Sequence, residues 1–275
     1  MIYIDAREEE SLYQGVKKFL NLTDQDLKKE FEKMDSLEGD LLDNEVYDFV
    51  SKHDTDSSLE KIQMFHLTRR LNGTDITINN NLEQLLLSET PISDFFKKYK
   101  VTFKKNDGHM EMYYNGSLQF LDEDFTSGYV NMSYIKSRLG YFDIQDYCVN
   151  GFAFRANLEN QFYSRLLSRC PEIVYNIGTY IKYLDKYKGD MVEDYFNNSR
   201  YYCIEYLIPL SEVIFDMGNP PETELKKTII FLEKAIHRLY EEWKHDSCNY
   251  DENLILRLND NAGIEKDWFV KAEEL

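Results

Sequence analysis

Long apolar runs are absent from this 275-residue chain. None approaches the ~18 residues a membrane-spanning helix needs, so no spanning segment is expected. Proline (5) and glycine (12) are scarce, which argues against a loop-rich β-sandwich. Cysteine is sparse too. Cys148, Cys170, Cys203 and Cys248 lie far apart, with no Cys-x-x-Cys pair among them. They read as free thiols of a reducing, cytoplasmic setting. The first ten residues are acidic rather than apolar and do not read as a secretion signal. Positive charge is in deficit: 32 Lys+Arg face 50 Asp+Glu, a net charge of -18. Such a field repels phosphate backbones and anionic lipid. It fits an ordinary acidic protein, or one that docks on a basic partner.

What is present supports a substantial core. Hydrophobic residues make up 43% of the chain and aromatics 15%, which excludes a disordered chain. Tyrosine (21) and phenylalanine (17) dominate the aromatics. Tyrosine buries its ring and keeps a polar tip, so it can line a pocket or a contact surface.

Along the chain, residues 1–56 read as a helical N-terminal subdomain. Thr23 to Asp26 forms a capping-box pattern, followed by Leu27, Phe31 and Met34 at helical spacing. A further helix spans 44–52, and the polar stretch 53–58 reads as a linker. Ser57 to Glu60 repeats the capping-box pattern. The body, 62–275, opens with a short strand at 64–68. Asn81 and Pro91 then start two helices. A meander follows, turning at Asn106-Asp107-Gly108 and at Asn115-Gly116. Gly140 ends a helix, Asn150-Gly151 is a hinge, and two helices flank Pro171. A buried strand occupies 201–210, a long C-terminal helix opens near Pro220-Pro221, and 249–275 reads as irregular. The expected fold is α+β, with a mainly antiparallel sheet and packed helices.

Motifs with a fixed chemistry are missing: no phosphate loop, GxGxxG, HExxH or GxSxG occurs. His245 and Cys248 have a metal-like spacing but no second pair, so no metal is expected. Two polar residues inside apolar strands stand out. Glu205 lies within Cys203-Ile204-Glu205-Tyr206-Leu207, where a carboxylate must be paired or used. His66 lies within Phe65-His66-Leu67-Thr68. Each also fits a plain structural role, as a hydrogen-bonded core residue. Functionally, His66 and Thr68 on one side of a strand, with Arg69 and Arg70 beyond, can hold a ribose hydroxyl and a phosphate.

The order of a His-x-Thr strand, helices, a sheet and a late Glu strand resembles the ADP-ribosyltransferases of the DarT type. The matching stretches are Phe65-His66-Leu67-Thr68, Asn81-Leu82-Glu83 and Ile204-Glu205-Tyr206-Leu207-Ile208-Pro209. Residues 147–154 are similar to an aromatic, pocket-forming segment of that family. The resemblance covers roughly 64–215. The chain departs from it in a helix-and-hairpin insertion at 90–121 and in its acidity. The resemblance implies an NAD-dependent transferase acting on a protein or nucleic-acid target, as in a toxin or phage-conflict protein. Glu205 is then the catalytic carboxylate, stabilising an oxocarbenium-like state through the ribose 2′-hydroxyl. His66 and Thr68 hold the adenosine side, Arg69, Arg70 or Arg155 the pyrophosphate, and Tyr147 the cofactor pocket. The competing expectation is a non-catalytic, acidic, tyrosine-rich module that docks on a basic protein partner.

Overall fold

A computed structural model describes residues 2–53, 57–121, 131–142, 146–160, 162–185, 189–245 and 253–275. The chain opens with α1 (Glu9–Phe19), α2 (Asp24–Met34), α3 (Asp40–Lys52) and β1 (Lys61–Leu71). Next come α4 (Leu82–Leu87), α5 (Pro91–Lys98), β2 (Val101–Asn106), β3 (His109–Tyr114), β4 (Ser117–Leu118) and α6 (Met132–Arg138). Then follow β5 (Asn150–Phe152), α7 (Phe162–Leu167), α8 (Glu172–Leu184), α9 (Met191–Asn197) and β6 (Ser199–Pro209). The last elements are β7 (Ile214–Phe215), α10 (Glu224–His245), β8 (Ile255–Arg257) and β9 (Phe269–Glu274). The class is α+β. A six-stranded, mainly antiparallel sheet has the order β7-β8-β5-β1-β6-β9, and a small sheet has the order β2-β3-β4. Among the described residues no helix is long and apolar enough to cross a membrane.

The chain divides into two compact units. Unit one is Met1–Phe65, Asn150–Gln161 and Glu205–Arg257; unit two is His66–Val149, Phe162–Ile204 and Leu258–Leu275. The helical segment 1–56 is therefore part of a larger unit. The reason is visible in α10, which supplies the apolar face that α1, α2 and α3 pack against. The chain passes from one unit to the other inside β1 and β6, and also at 149/150, 161/162 and 257/258, rather than at 53–58, of which 54–56 lie outside the described residues.

In unit one, α10 buries Thr228, Phe231, Leu232, Ala235, Ile236 and Leu239, a stripe at i, i+3, i+4 spacing. Arg238 is also buried. Its Nε and Nη2 donate to Glu9 Oε1 at 3.1 and 3.0 Å, and Nη2 donates to Ala156 O at 2.5 Å. Burial pushes the Glu9 carboxyl up despite this guanidinium. The capping box of α2 is formed, with Asp26 N donating to Thr23 Oγ1 at 3.2 Å. The second capping-box pattern starts no helix. Residues 57–60 lead straight into β1, and Leu59 N donates to Thr228 Oγ1 at 3.0 Å while Glu60 N donates to Ile2 O at 2.8 Å. Those donors are satisfied by distant acceptors, so no cap is needed.

In unit two a separate core gathers Phe96, Val101, Met112, Ile135, Leu139, Tyr147, Val174 and Tyr195. Asn81 and Thr90 cap α4 and α5 through Gln84 N and Ser93 N, at 2.8 and 3.1 Å, with Pro91 in the first turn of α5. Both hairpin turns carry positive φ at two residues, Asp107 and Gly108 (43° and 89°) and Asn115 and Gly116 (51° and 79°). That is the turn twist that suits antiparallel strands. The tail expected to be irregular instead forms β8 and β9. Three residues are too few for an alternation to show in β8. Of the cysteines, Cys148, Cys170 and Cys203 are buried and outside any disulfide; Cys248 lies outside the described residues.

Candidate functional site

Glu205 sits in unit one among Ile204 and Tyr206 on β6 and is 3% exposed. A carboxylate there requires a donor, and Gln63 of β1 supplies one: its Nε2 donates to Glu205 Oε1 at 2.9 Å. Gln63 is fixed in turn by Ala6 N, which donates to its Oε1 at 2.6 Å. Beside this chain of bonds lies a forked pair. Arg7 Nε donates to Asp5 Oδ1 at 2.9 Å and Nη2 to Oδ2 at 2.5 Å. The Arg7 hydrogen bond holds the Asp5 carboxyl below the usual carboxylate range. Asp5 in turn holds the guanidinium charged, and Glu205 acts in the same direction. The result is a polar cluster of Asp5, Arg7, Gln63 and Glu205 at the N-terminal end of unit one.

The other residues singled out in the sequence fall in unit two, except Arg155. On β1, Gln63 and His66 occupy positions of opposite parity, and successive side chains of a strand alternate between its faces. His66 and Thr68 share one parity and are both half-buried. Arg69 is engaged by the fold. Its Nε donates to Ser199 Oγ at 2.8 Å, Nη1 to Ser168 O at 2.7 Å, and Nη2 to Phe196 O and Ser199 O at 3.0 and 2.8 Å. The guanidinium also lies 4.2 Å from the Phe196 ring centre. Arg70 follows it, half-buried. Tyr147 is buried. Its hydroxyl donates to Leu139 O at 3.0 Å, and its backbone N–H donates to Asp260 Oδ1 at 2.8 Å. Burial pushes its phenol up to about 12. Arg69 and Tyr147 thus answer to different neighbours. In unit one, Arg155 Nη2 donates to Glu159 Oε1 at 2.5 Å.

The open space described in unit two surrounds residues that the sequence reading passed over. Met110 N donates to Leu139 O at 2.7 Å, joining β3 to the end of α6. The turn at Asp107-Gly108 and the stop at Gly140 then lie side by side, with Gly140 at φ +80° against the Tyr147 hydroxyl. His109 and Tyr141 meet as a tilted ring pair, centres 4.3 Å apart. This pair is the common wall of two clefts. One, of about 520 Å³, is lined by Asp107, His109, Gly140, Tyr141, Phe142 and Asp260. The other, of about 400 Å³, is lined by His109, Glu111, Leu118, Phe120, Leu121 and Tyr141. Burial raises the Tyr141 phenol, and Glu111 adds to this. The sequence signal for the site was the pair of turns themselves. Neither turn announces that the other will lie beside it.

Close by, one ligand atom each from Asp146, Cys148 and Asp260 lies within 4.8 Å of the others, a spacing that could hold a metal. The surrounding bonds give these groups another role. Arg138 Nη1 lies 2.7 Å from Asp146 Oδ2, and Asp260 Oδ1 accepts the N–H groups of Tyr147 and Cys148 at 2.8 and 3.1 Å. The guanidinium supplies the positive charge that a cation would bring. Comparison of the chain with models of known protein families, with curated proteins and with solved structures found no match.

Proposed function

We propose that this protein acts by binding a basic protein partner rather than by chemistry of its own. Phe120 carries this reading: it is 83% exposed and lines the 400 Å³ cleft together with Leu118 and Leu121. A ring presented to water next to an apolar hollow marks a contact surface, and aromatic anchors dominate binding energy at such surfaces. The net charge of -18 selects the sign of the partner. The test is a titration by fluorescence anisotropy with a labelled peptide of alternating arginine and leucine, against its glutamate–leucine counterpart. The arginine peptide binds and the glutamate peptide does not. Phe120→Ala weakens binding about tenfold while the melting temperature stays unchanged. Unchanged affinity in that variant overturns the reading.

A second reading, ADP-ribosyl transfer from NAD, is favoured by the buried carboxylate of Glu205 and its Gln63 partner. Under it, label from isotopic NAD reaches a protein or nucleic-acid acceptor, and Glu205→Gln lowers that transfer about 10²–10³-fold. Under the binding reading no label is transferred, and the same substitution only lowers stability, by about 1–3 kcal/mol.

A further inference from the structure

β9 belongs to unit two and is the last strand of the six-stranded sheet; among the described residues no strand lies beyond it. Leu275, the residue after it, donates its N–H to Tyr201 O on β6 at 3.0 Å. The N–H and C=O of one strand residue point to one side, and those of the next residue to the other. Phe269, Lys271, Glu273 and Leu275 therefore turn their backbone groups to β6. Val270, Ala272 and Glu274 turn theirs to the open edge. An edge of this kind is a template for another strand. Side chains sort by the same parity. One face of β9 carries Phe269, Lys271 and Glu273, with Leu275 in line behind them; the other carries Val270, Ala272 and Glu274. Lys271 and Glu273 are exposed, and so are Val270 and Leu275, at 45% and 40%. Glu274 is engaged within the sheet: Arg200 Nη1 of β6 donates to both its oxygens at 3.0 Å.

We infer that β9 pairs edge to edge with β9 of a second copy of this chain, antiparallel and centred on Ala272. The order of residues carries this. A two-fold axis at Ala272 sets Lys271 opposite Glu273 of the second copy, and Glu273 opposite its Lys271. The same axis sets Phe269 opposite Leu275. That face is self-complementary, charge against opposite charge and apolar group against apolar group. The backbone fits the same register. Val270 donates to Glu274 O of the second copy, Ala272 to its Ala272 O, and Glu274 to its Val270 O, all groups that face the open edge. Sliding the pair by two residues sets Lys271 against Lys271, or Glu273 against Glu273. Sliding it by one sets edge-facing groups against groups that β6 already holds. A lysine on an edge strand ordinarily discourages pairing; here the symmetry answers it with a carboxylate. Arg200 offsets the charge of Glu274, which stands opposite Val270 of the second copy. The net charge of -18 on each copy opposes the contact, and physiological salt confines that repulsion to about 8 Å. None of the cleft residues takes part, so the inference stands apart from the binding reading.

Sedimentation equilibrium of the full-length protein at physiological salt, over a concentration series, reads the association. A monomer–dimer equilibrium is expected. Lys271→Glu and Glu273→Lys each set like charges opposite one another and weaken the dimer about tenfold or more. An equimolar mixture of these two variants restores it, because every charged cross-strand pair is then of opposite sign. The double variant, which exchanges the two charges, restores it as well. A folding defect in a single variant produces neither rescue. Amide exchange followed by NMR locates the contact: the N–H groups of Val270, Ala272 and Glu274 gain protection as concentration rises. Wild-type protein that stays monomeric at the highest concentration reached overturns the inference. So does a dimer that survives both single substitutions, a mixture that associates no better than its components, or protection gained only at other amides.

Discussion

At the scale of single residues, Arg69 shows how a side chain suited to phosphate can be wholly occupied by the fold. Four donor contacts and a ring contact bind it to Ser168, Phe196 and Ser199. Burial accordingly lowers its pKa. Arg69→Ala leaves those acceptors unsatisfied and is expected to destabilise the protein by about 2–4 kcal/mol in urea unfolding. Arg69→Lys cannot rebuild the fork and recovers only part of the loss. A destabilisation within experimental error in Arg69→Ala would remove the structural assignment. Gly140 is the second decisive residue. A Cβ there would lie 2.1 Å from the Tyr147 hydroxyl at a backbone φ of +80°. Gly140→Ala is expected to cost about 2 kcal/mol or more and to shift the NMR signals of Tyr141. Wild-type stability would show that Tyr147 yields freely.

At the scale of elements, α10 organises unit one, and its packing on α3 includes a titrating contact. His237 Nε2 lies 3.1 Å from Asp43 Oδ1. Burial lowers the His237 pKa, outweighing the raising effects of Asp43 and Glu241; Lys234 also lowers it. The folded state therefore resists the proton. As pH falls through about 6.5, the unfolded chain takes up a proton that the folded chain refuses. Stability is full above that range and declines towards the lower folded pKa. His237→Gln should flatten the dependence of urea midpoint on pH between about 7 and 5. An unchanged slope would assign the acid sensitivity to other groups.

At the scale of the whole molecule, the net charge of -18 acts on association more than on the fold. Raising salt shortens the reach of that field to about 10 Å or less. The on-rate for the arginine–leucine peptide should therefore fall with salt while the off-rate changes little. Phe120→Ala should do the reverse, chiefly raising the off-rate. Stopped-flow mixing separates the two. A salt-independent on-rate would mean that the acidity of this chain does not guide its partner.

Local chemistry in the sequence determined the start of α2 at Thr23, the cap of α4 at Asn81, the start of α5 at Pro91, both hairpin turns, the stop at Gly140 and the buried β6 around Glu205. Each depends on backbone donors, turn φ values or an apolar run within a few residues, so neighbours in sequence suffice to specify it. Tertiary structure decided the rest. Ser57 resembles a cap but lies beside β1, because acceptors on Ile2 and Thr228 satisfy the nearby backbone donors. β8 is three residues long and exists only through its pairing with β5 and β7. Glu205 read as a paired or catalytic carboxylate, and only folding brought Gln63, 142 positions away, to its oxygen. The His109–Tyr141 clefts were illegible for the same reason. Two turns 32 residues apart in sequence were brought together by a bond from Met110 to Leu139 among others, and periodicity along a chain carries no record of contacts made across it.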